Sequence, residues 1–144
     1  HLGLELRLVD ARGRALDATE VEIWQCDTMA VYHHPGVRVA DGQRDAGFQG
    51  FGSASSDADG WVRFRTIRPV TYPGRTPHIH IKLRQAGFGE LSSQLFVAGD
   101  PGNPRDFLWR QLDADGQAAM AMHLAPASAG TGLRWQVRHT LVIA

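Results

Sequence analysis

The sequence predicts an all-β protein, a sandwich or barrel, on three observations. Short segments alternate apolar and polar residues with the period of a strand. Gly/Asp turns break them every 8 to 15 residues, and no convincing helical periodicity runs between them.

Taken in order, Leu4-Glu-Leu-Arg-Leu8 alternates and stops at the turn Asp10-Ala-Arg-Gly13. Glu20-Val-Glu-Ile-Trp24 is the second strand. Residues 27–57 form a glycine-rich stretch with little periodicity, long for a compact domain and of the kind that often carries function. Asp57-Ala-Asp-Gly60 signals a turn before a strand over 61–67. Strands are expected over 78–83, 91–97 and 107–112. A second hairpin-type turn, Asp113-Ala-Asp-Gly116, leads into 117–124, where 118–122 carries a helical alternative, and 133–143 closes the chain.

The chain has 144 residues, enough for one domain with one core, and we expect 1–144 to be a single unit. Lys plus Arg equals Asp plus Glu, and no basic run points to nucleic acid. No apolar stretch is long enough to span a bilayer. Cys26 is the sole cysteine, which excludes an internal disulfide framework and leaves the compartment open, cytoplasmic or secreted with a signal removed before His1. Cys26 reads as a small buried apolar side chain.

The chemistry concentrates in Tyr72-Pro-Gly-Arg75-Thr-Pro-His78-Ile-His80. On a strand, His78 and His80 share one face while Ile79, Ile81 and Leu83 take the other. Two imidazoles so spaced can converge on one ion, which makes a metal centre the leading reading. The chain has two tyrosines, Tyr32 and Tyr72. If both reach the ion, the shell is two imidazoles and two phenolates, hard donors suited to Fe(III). His33 and His34 read first as exposed loop residues, and either is an alternative ligand for Zn or Cu. His123 and His139 read as structural or surface residues of regular strands. Arg75 sits close enough to face a metal-bound anion, or is a surface arginine on a turn. Gln94 reads as a core-edge amide or a hydrogen-bond donor to a reacting ligand.

A larger ordered pattern then emerges: Val21-Glu-Ile-Trp24-Gln25, Tyr32, Phe64-Arg-Thr66-Ile67, Tyr72-Pro73, Arg75, His78-Ile-His80 and Ser93-Gln94-Leu-Phe96. It resembles the intradiol ring-cleavage dioxygenases, the catechol 1,2- and protocatechuate 3,4-dioxygenase group. The resemblance implies a transthyretin-like β-sandwich with a long active-site loop and one non-haem Fe(III) per chain. By motif, Tyr32 and Tyr72 would be the equatorial and axial phenolates, and His78 and His80 the equatorial and axial imidazoles. Arg75 and Gln94 would take the positions of the family's active-site arginine and glutamine. The implied reaction cleaves a catechol-type diol between its hydroxyl-bearing carbons with O2, giving a cis,cis-muconate. Tyr72 would leave the iron and help to take up the second phenolic proton, Arg75 would stabilise charge on the ring, and Gln94 would orient intermediates. The family often forms homo-oligomers, although nothing in this sequence defines an interface.

Three features depart from the family's larger members. Tyr72-Pro-Gly-Arg75 is contiguous where they carry an insertion, Val70 stands where glycine is usual, and we expect no counterpart of their N-terminal helical region. The short link implies a more open pocket. Arg38, Arg44 and Arg105 are candidates for a substrate carboxylate clamp. The rival readings are a non-catalytic sandwich module with a vestigial metal site, a cupin-like site, and a Zn or Cu site using His33 or His34.

Overall fold

The computed structural model describes residues 1–32 and 47–143. His33, His34, Arg38 and Arg44, with most of the long loop, lie outside the described residues. The strands are β1 (Leu2–Asp10), β2 (Glu20–Trp24), β3 (Phe51–Ser55), β4 (Trp61–Thr66), β5 (His78–Gln85), β6 (Gly89–Val97), β7 (Ala121–Met122), β8 (Ala125–Pro126) and β9 (Trp135–Ile143). A 3-10 turn at Asn103–Arg105 and two helices, α1 (Phe107–Gln111) and α2 (Ala114–Met120), lie between β6 and β7.

One sheet has the order β4-β1-β9-β8 and the other β3-β2-β5-β6-β7. Together they form the expected β-sandwich. Alternation drives the packing. Leu2, Leu4, Leu6 and Leu8 of β1 are fully buried against Val21, Ile23, Ile79, Ile81 and Leu95 of the facing sheet. Burying that face of β5 turns its other residues, His78 and His80 among them, onto the outside of the five-stranded sheet.

Four expectations need correction. Residues 107–112 are not a strand but largely helix α1, because the Asp106 carboxylate caps it by accepting from the backbone N–H of Leu108 and Trp109. Residues 117–124 are mostly α2 and β7, and α2 is capped in the same way by Asp113. Both helices are too short for their apolar spacing to show a period. His123 accordingly follows β7 rather than lying within a strand, whereas His139 does lie on β9 and its ring Nε2 donates to the Ala119 carbonyl. Strand β3 sits inside the stretch read as loop, and its small residues alternate in exposure without being hydrophobic.

Neither Asp/Gly turn closes a hairpin. Asp113 caps a helix, and Asp57–Gly60 carries the chain from β3 in one sheet to β4 in the other. Gly60 there has φ +84°, and its carbonyl accepts from Leu8 N at 2.8 Å. A Cβ at this position would stand 2.4 Å from the Leu8 carbonyl oxygen. Gly60→Ala is therefore expected to cost more than the 1–2 kcal/mol, roughly, of left-handed strain alone. Thermal unfolding checks this; an unchanged Tm would show that the approach of β1 to the turn relaxes freely. Among the described residues, no helix is long and apolar enough to cross a membrane.

Candidate active site

The site is built at one end of the outer face of the five-stranded sheet. Register places Trp24 of β2 and Gln94 of β6 on either side of His80 of β5. Directly opposed residues on neighbouring strands share a face, so the three form one row. The Trp24 indole stacks flat on the His80 ring, with centroids 4.9 Å apart and planes within 1°. The Gln94 amide Nε2 lies 3.4 Å from His80 Nδ1.

Tyr32 is returned to this face by a tight turn that Asp27 builds. The fully buried Asp27 carboxylate accepts from Met29 N and Val31 N at 2.9 and 3.0 Å, and Asp27 N donates to the Val31 carbonyl at 2.8 Å. Ala30 takes φ +59° within this turn. The small residue there, which the sequence alone makes unremarkable, meets a backbone need, since a bulkier side chain is less readily held in the left-handed region.

Tyr72 arrives by another route. Buried Gln25 accepts from Thr66 Oγ1 at 2.7 Å and donates to the Ile67 carbonyl at 3.0 Å, holding the segment that leads to Tyr72. Cys26 is buried as expected, its thiol directed at the Val70 carbonyl. The contiguous Tyr72-Pro-Gly-Arg75 link is a reverse turn, closed by Arg75 N donating to the Tyr72 carbonyl at 2.8 Å, with Gly74 at φ +78°. Proline followed by a positive-φ glycine is the chemistry such a turn requires. Its effect is to place Arg75 immediately beside Tyr72.

Three side-chain atoms converge. Tyr32 Oη lies 3.0 Å from His78 Nε2 and 3.1 Å from His80 Nε2, and the two Nε2 atoms are 3.2 Å apart. The Tyr72 ring packs edge-on to Tyr32 with centroids 5.0 Å apart. All four candidate ligands thus meet in one cluster. Among the described residues, no three His, Cys, Asp or Glu side chains form a metal-binding group, and the donors that the described residues bring to this cluster are the two imidazoles and the tyrosines.

The donor set fits an ion. Two donors held at right angles about 2.1 Å from a common metal stand about 3.0 Å apart, close to the edges of the observed triangle. His78 Nδ1 donates to the Thr76 carbonyl at 2.8 Å, which assigns the proton to Nδ1 and leaves the Nε2 lone pair for the centre of the cluster. Burial lowers the His78 pKa against the opposing pull of that carbonyl, which favours a neutral ring. Burial, with nearby Cys26, pushes the Tyr32 phenol up to about 12, although the Arg75 cation pulls it the other way. Tyr32 therefore keeps its proton until a cation displaces it.

Arg75 is largely buried, not a surface residue, with its side chain 14% exposed. Its Nε donates to Asp106 Oδ2 at 2.8 Å, its Nη2 donates to Gln94 Oε1, and its guanidinium lies 5.3 Å from the Phe107 ring centroid. Gln94 is thereby a bridge from Arg75 to His80. A cleft of about 480 Å³ opens beside them between the sheet and α1, lined by Trp24, His80, Gln94, Phe96, Leu108 and Leu112. Arg105 is exposed on the 3-10 turn and lines a separate groove with Arg75.

The sequence reading missed the supports. Thr76 is held by Asn103, which accepts from its hydroxyl at 2.7 Å, and by Asp106, which accepts from its backbone N–H at 2.9 Å. The available signal was Asp106 itself, an N-cap residue preceding Phe107-Leu-Trp.

The family model described as dioxygenase matches residues 1–139. The chain belongs to the intradiol ring-cleavage dioxygenase family. Among these dioxygenases, it is 38% identical over 103 residues to the protocatechuate 3,4-dioxygenase beta chain of Burkholderia cepacia, covering 66% of this chain and 43% of that one. It is 31% identical over 120 residues to the catechol 1,2-dioxygenase of Acinetobacter baylyi, covering 71% of this chain and 37% of that one. The chain thus spans less than half the length of these curated relatives. Its structure is similar to the dioxygenase domain of a dioxygenase carbohydrate-binding protein fusion from Streptomyces sp. SirexAA-E. That match has a TM-score of 0.71 and 28% identity, covering 99% of this chain and 78% of that one. An intradiol ring-cleavage dioxygenase from Tetranychus urticae shares the fold with a TM-score of 0.75 at 24% identity, covering 99% of this chain and 79% of that one.

Proposed function

We propose that residues 1–144 form the catalytic domain of an Fe(III)-dependent intradiol dioxygenase that cleaves catechol-type diols with O2. The observation that carries this reading is the triangle of Tyr32 Oη, His78 Nε2 and His80 Nε2, with the Arg75–Gln94 pair beside it. Tyr32, Tyr72, His78 and His80 would hold the iron. When bound, Fe(III) supplies Lewis-acid chelation of the diol oxygens and activates the ring toward O2.

The chain's own residues do the rest. Tyr72 takes up the second phenolic proton of the diol on its phenolic oxygen. Arg75 presents a fixed cation to the negative charge that develops on the ring, and preorganised charge of this kind costs no reorganisation during the reaction. Gln94 orients the reacting ligand, with its Oε1 held by Arg75 Nη2. The bond between the two hydroxyl-bearing carbons breaks, and both atoms of O2 end in the two carboxyl groups of the muconate.

Metal analysis and a visible spectrum before and after anaerobic catechol test this reading. We expect about one iron per chain, a phenolate charge-transfer band that weakens in Tyr32→Phe, a shift on adding catechol, and muconate once air is admitted. Protein that stays colourless after Fe(III) reconstitution sinks the reading. Iron bound without a catechol shift or product favours the vestigial module.

A further inference from the structure

We propose that Asp106 is a positioning residue for Arg75, holding its guanidinium in the orientation that turnover needs; this rests on the reading of Arg75 as the cation facing the substrate ring. The Asp106 side chain is fully buried, and both of its oxygens accept. Oδ2 takes hydrogen bonds from Arg75 Nε at 2.8 Å and Thr76 N at 2.9 Å, while Oδ1 takes Leu108 N at 3.0 Å and Trp109 N at 3.2 Å. One carboxylate thus joins α1 to two successive residues of the segment that carries the site. The next residue, Phe107, lies against the guanidinium. Arg75 then reaches Gln94, and Gln94 reaches His80.

An arginine has several rotatable bonds, and a cation displaced by about 1 Å can lose on the order of 10²-fold in rate. The clamp from Asp106 and Phe107 removes that freedom before substrate arrives. Asparagine cannot replace it, because either amide orientation turns an N–H toward two existing donors. Serine separates the two roles of Asp106, because it still caps α1 but no longer reaches Arg75 with a charge.

The test uses the iron-loaded protein with Asp106→Asn and Asp106→Ser. We expect kcat per bound iron to fall about 10- to 100-fold, as for other residues that act through a site residue, with the phenolate band retained and KM for catechol changed much less. Combined with Arg75→Ala, neither substitution should lower kcat further, because both act through the same group. Unchanged kcat per iron with a lowered Tm would make Asp106 a helix cap only and overturn the proposal, as would additive losses in the double variants. A second readout needs neither turnover nor a variant that folds. In ¹⁵N-labelled iron-free protein, the Arg75 Nε proton should exchange with solvent at least about tenfold more slowly than that of an exposed arginine such as Arg12, since only the former is buried and bonded. Equal exchange overturns the proposal. Wild-type protein that binds no iron defeats the functional reading instead, and the exchange rate still decides whether Asp106 holds Arg75.

Discussion

His78→Ala is expected to yield folded protein that no longer retains iron and shows no ring cleavage. His78 is 2% exposed on the covered outer face of the sheet and supplies one corner of the donor triangle, so no solvent-side group readily takes its place. Its tautomer is fixed by Thr76, and that carbonyl loses its partner in the variant, a cost of about 1–3 kcal/mol for a buried acceptor. Iron affinity should fall by more than the roughly 10- to 100-fold typical of residues that only support a ligand. Metal analysis after dialysis, beside a thermal melt of the iron-free protein, separates the two effects. Retention of one iron per chain with an unchanged band would remove His78 from the ligand set and leave Tyr32, Tyr72 and His80 to be reconsidered.

Arg75→Ala should lower kcat by about 10²- to 10³-fold, the usual result of deleting one preorganised charge-stabilising donor. It should also destabilise the fold, because it leaves the buried Asp106 carboxylate without its cation. Breaking one side of a buried ion pair costs about 3–5 kcal/mol. The pH dependence has a definite sign. Burial pushes the Asp106 pKa up, but hydrogen bonds from Arg75, Thr76 N and Trp109 N outweigh it and hold the carboxyl below its ordinary value. A carboxyl depressed in the folded state contributes stability above its unfolded pKa of about 3.9 and loses it as pH falls through the folded value. The difference between wild type and Arg75→Ala should therefore be full at neutral pH and shrink below about pH 4. Denaturant unfolding at several pH values measures it. A difference that stays constant into acid would show that the cost is lost packing on Phe107 rather than lost charge.

The two effects share a cause, which is why the site and its support cannot be separated by sequence position. Asp106 lies 31 residues beyond Arg75, yet it holds that residue, the backbone of Thr76 and the start of α1 together. A substitution in the 3-10 turn or α1 therefore reaches the cluster without touching a ligand. Asn103 makes a similar tie, donating from Nδ2 to the Val97 carbonyl at 2.8 Å while accepting from Thr76.

Strands were legible wherever one face was buried, because a period-two pattern must put its apolar residues inward. This is why β1, β2, β4, β5 and β9 were readable to within a few residues, and why His78 and His80 could be placed outside the core. Strand β3 was not legible because Phe51-Gly-Ser-Ala-Ser has no hydrophobic face to betray it. Helices α1 and α2 were not legible because five and seven residues give too few turns for a period, leaving only their Asp caps as signals. The row Trp24–His80–Gln94 needed strand order, which no local pattern contains.

By itself, then, the sequence determined the alternating strands, the chemical character of the donor set and the turn that puts Arg75 beside Tyr72. Each of these follows from residue type and from neighbours a few positions away. Tertiary structure alone decided that Tyr32 meets two imidazoles, that Trp24 stacks on His80, and that Asp106 anchors Arg75. These contacts join segments 31 to 56 residues apart. Their distances are set by how the sheet orders its strands and where the 3-10 turn and α1 fold back, and only the packed core fixes both at once.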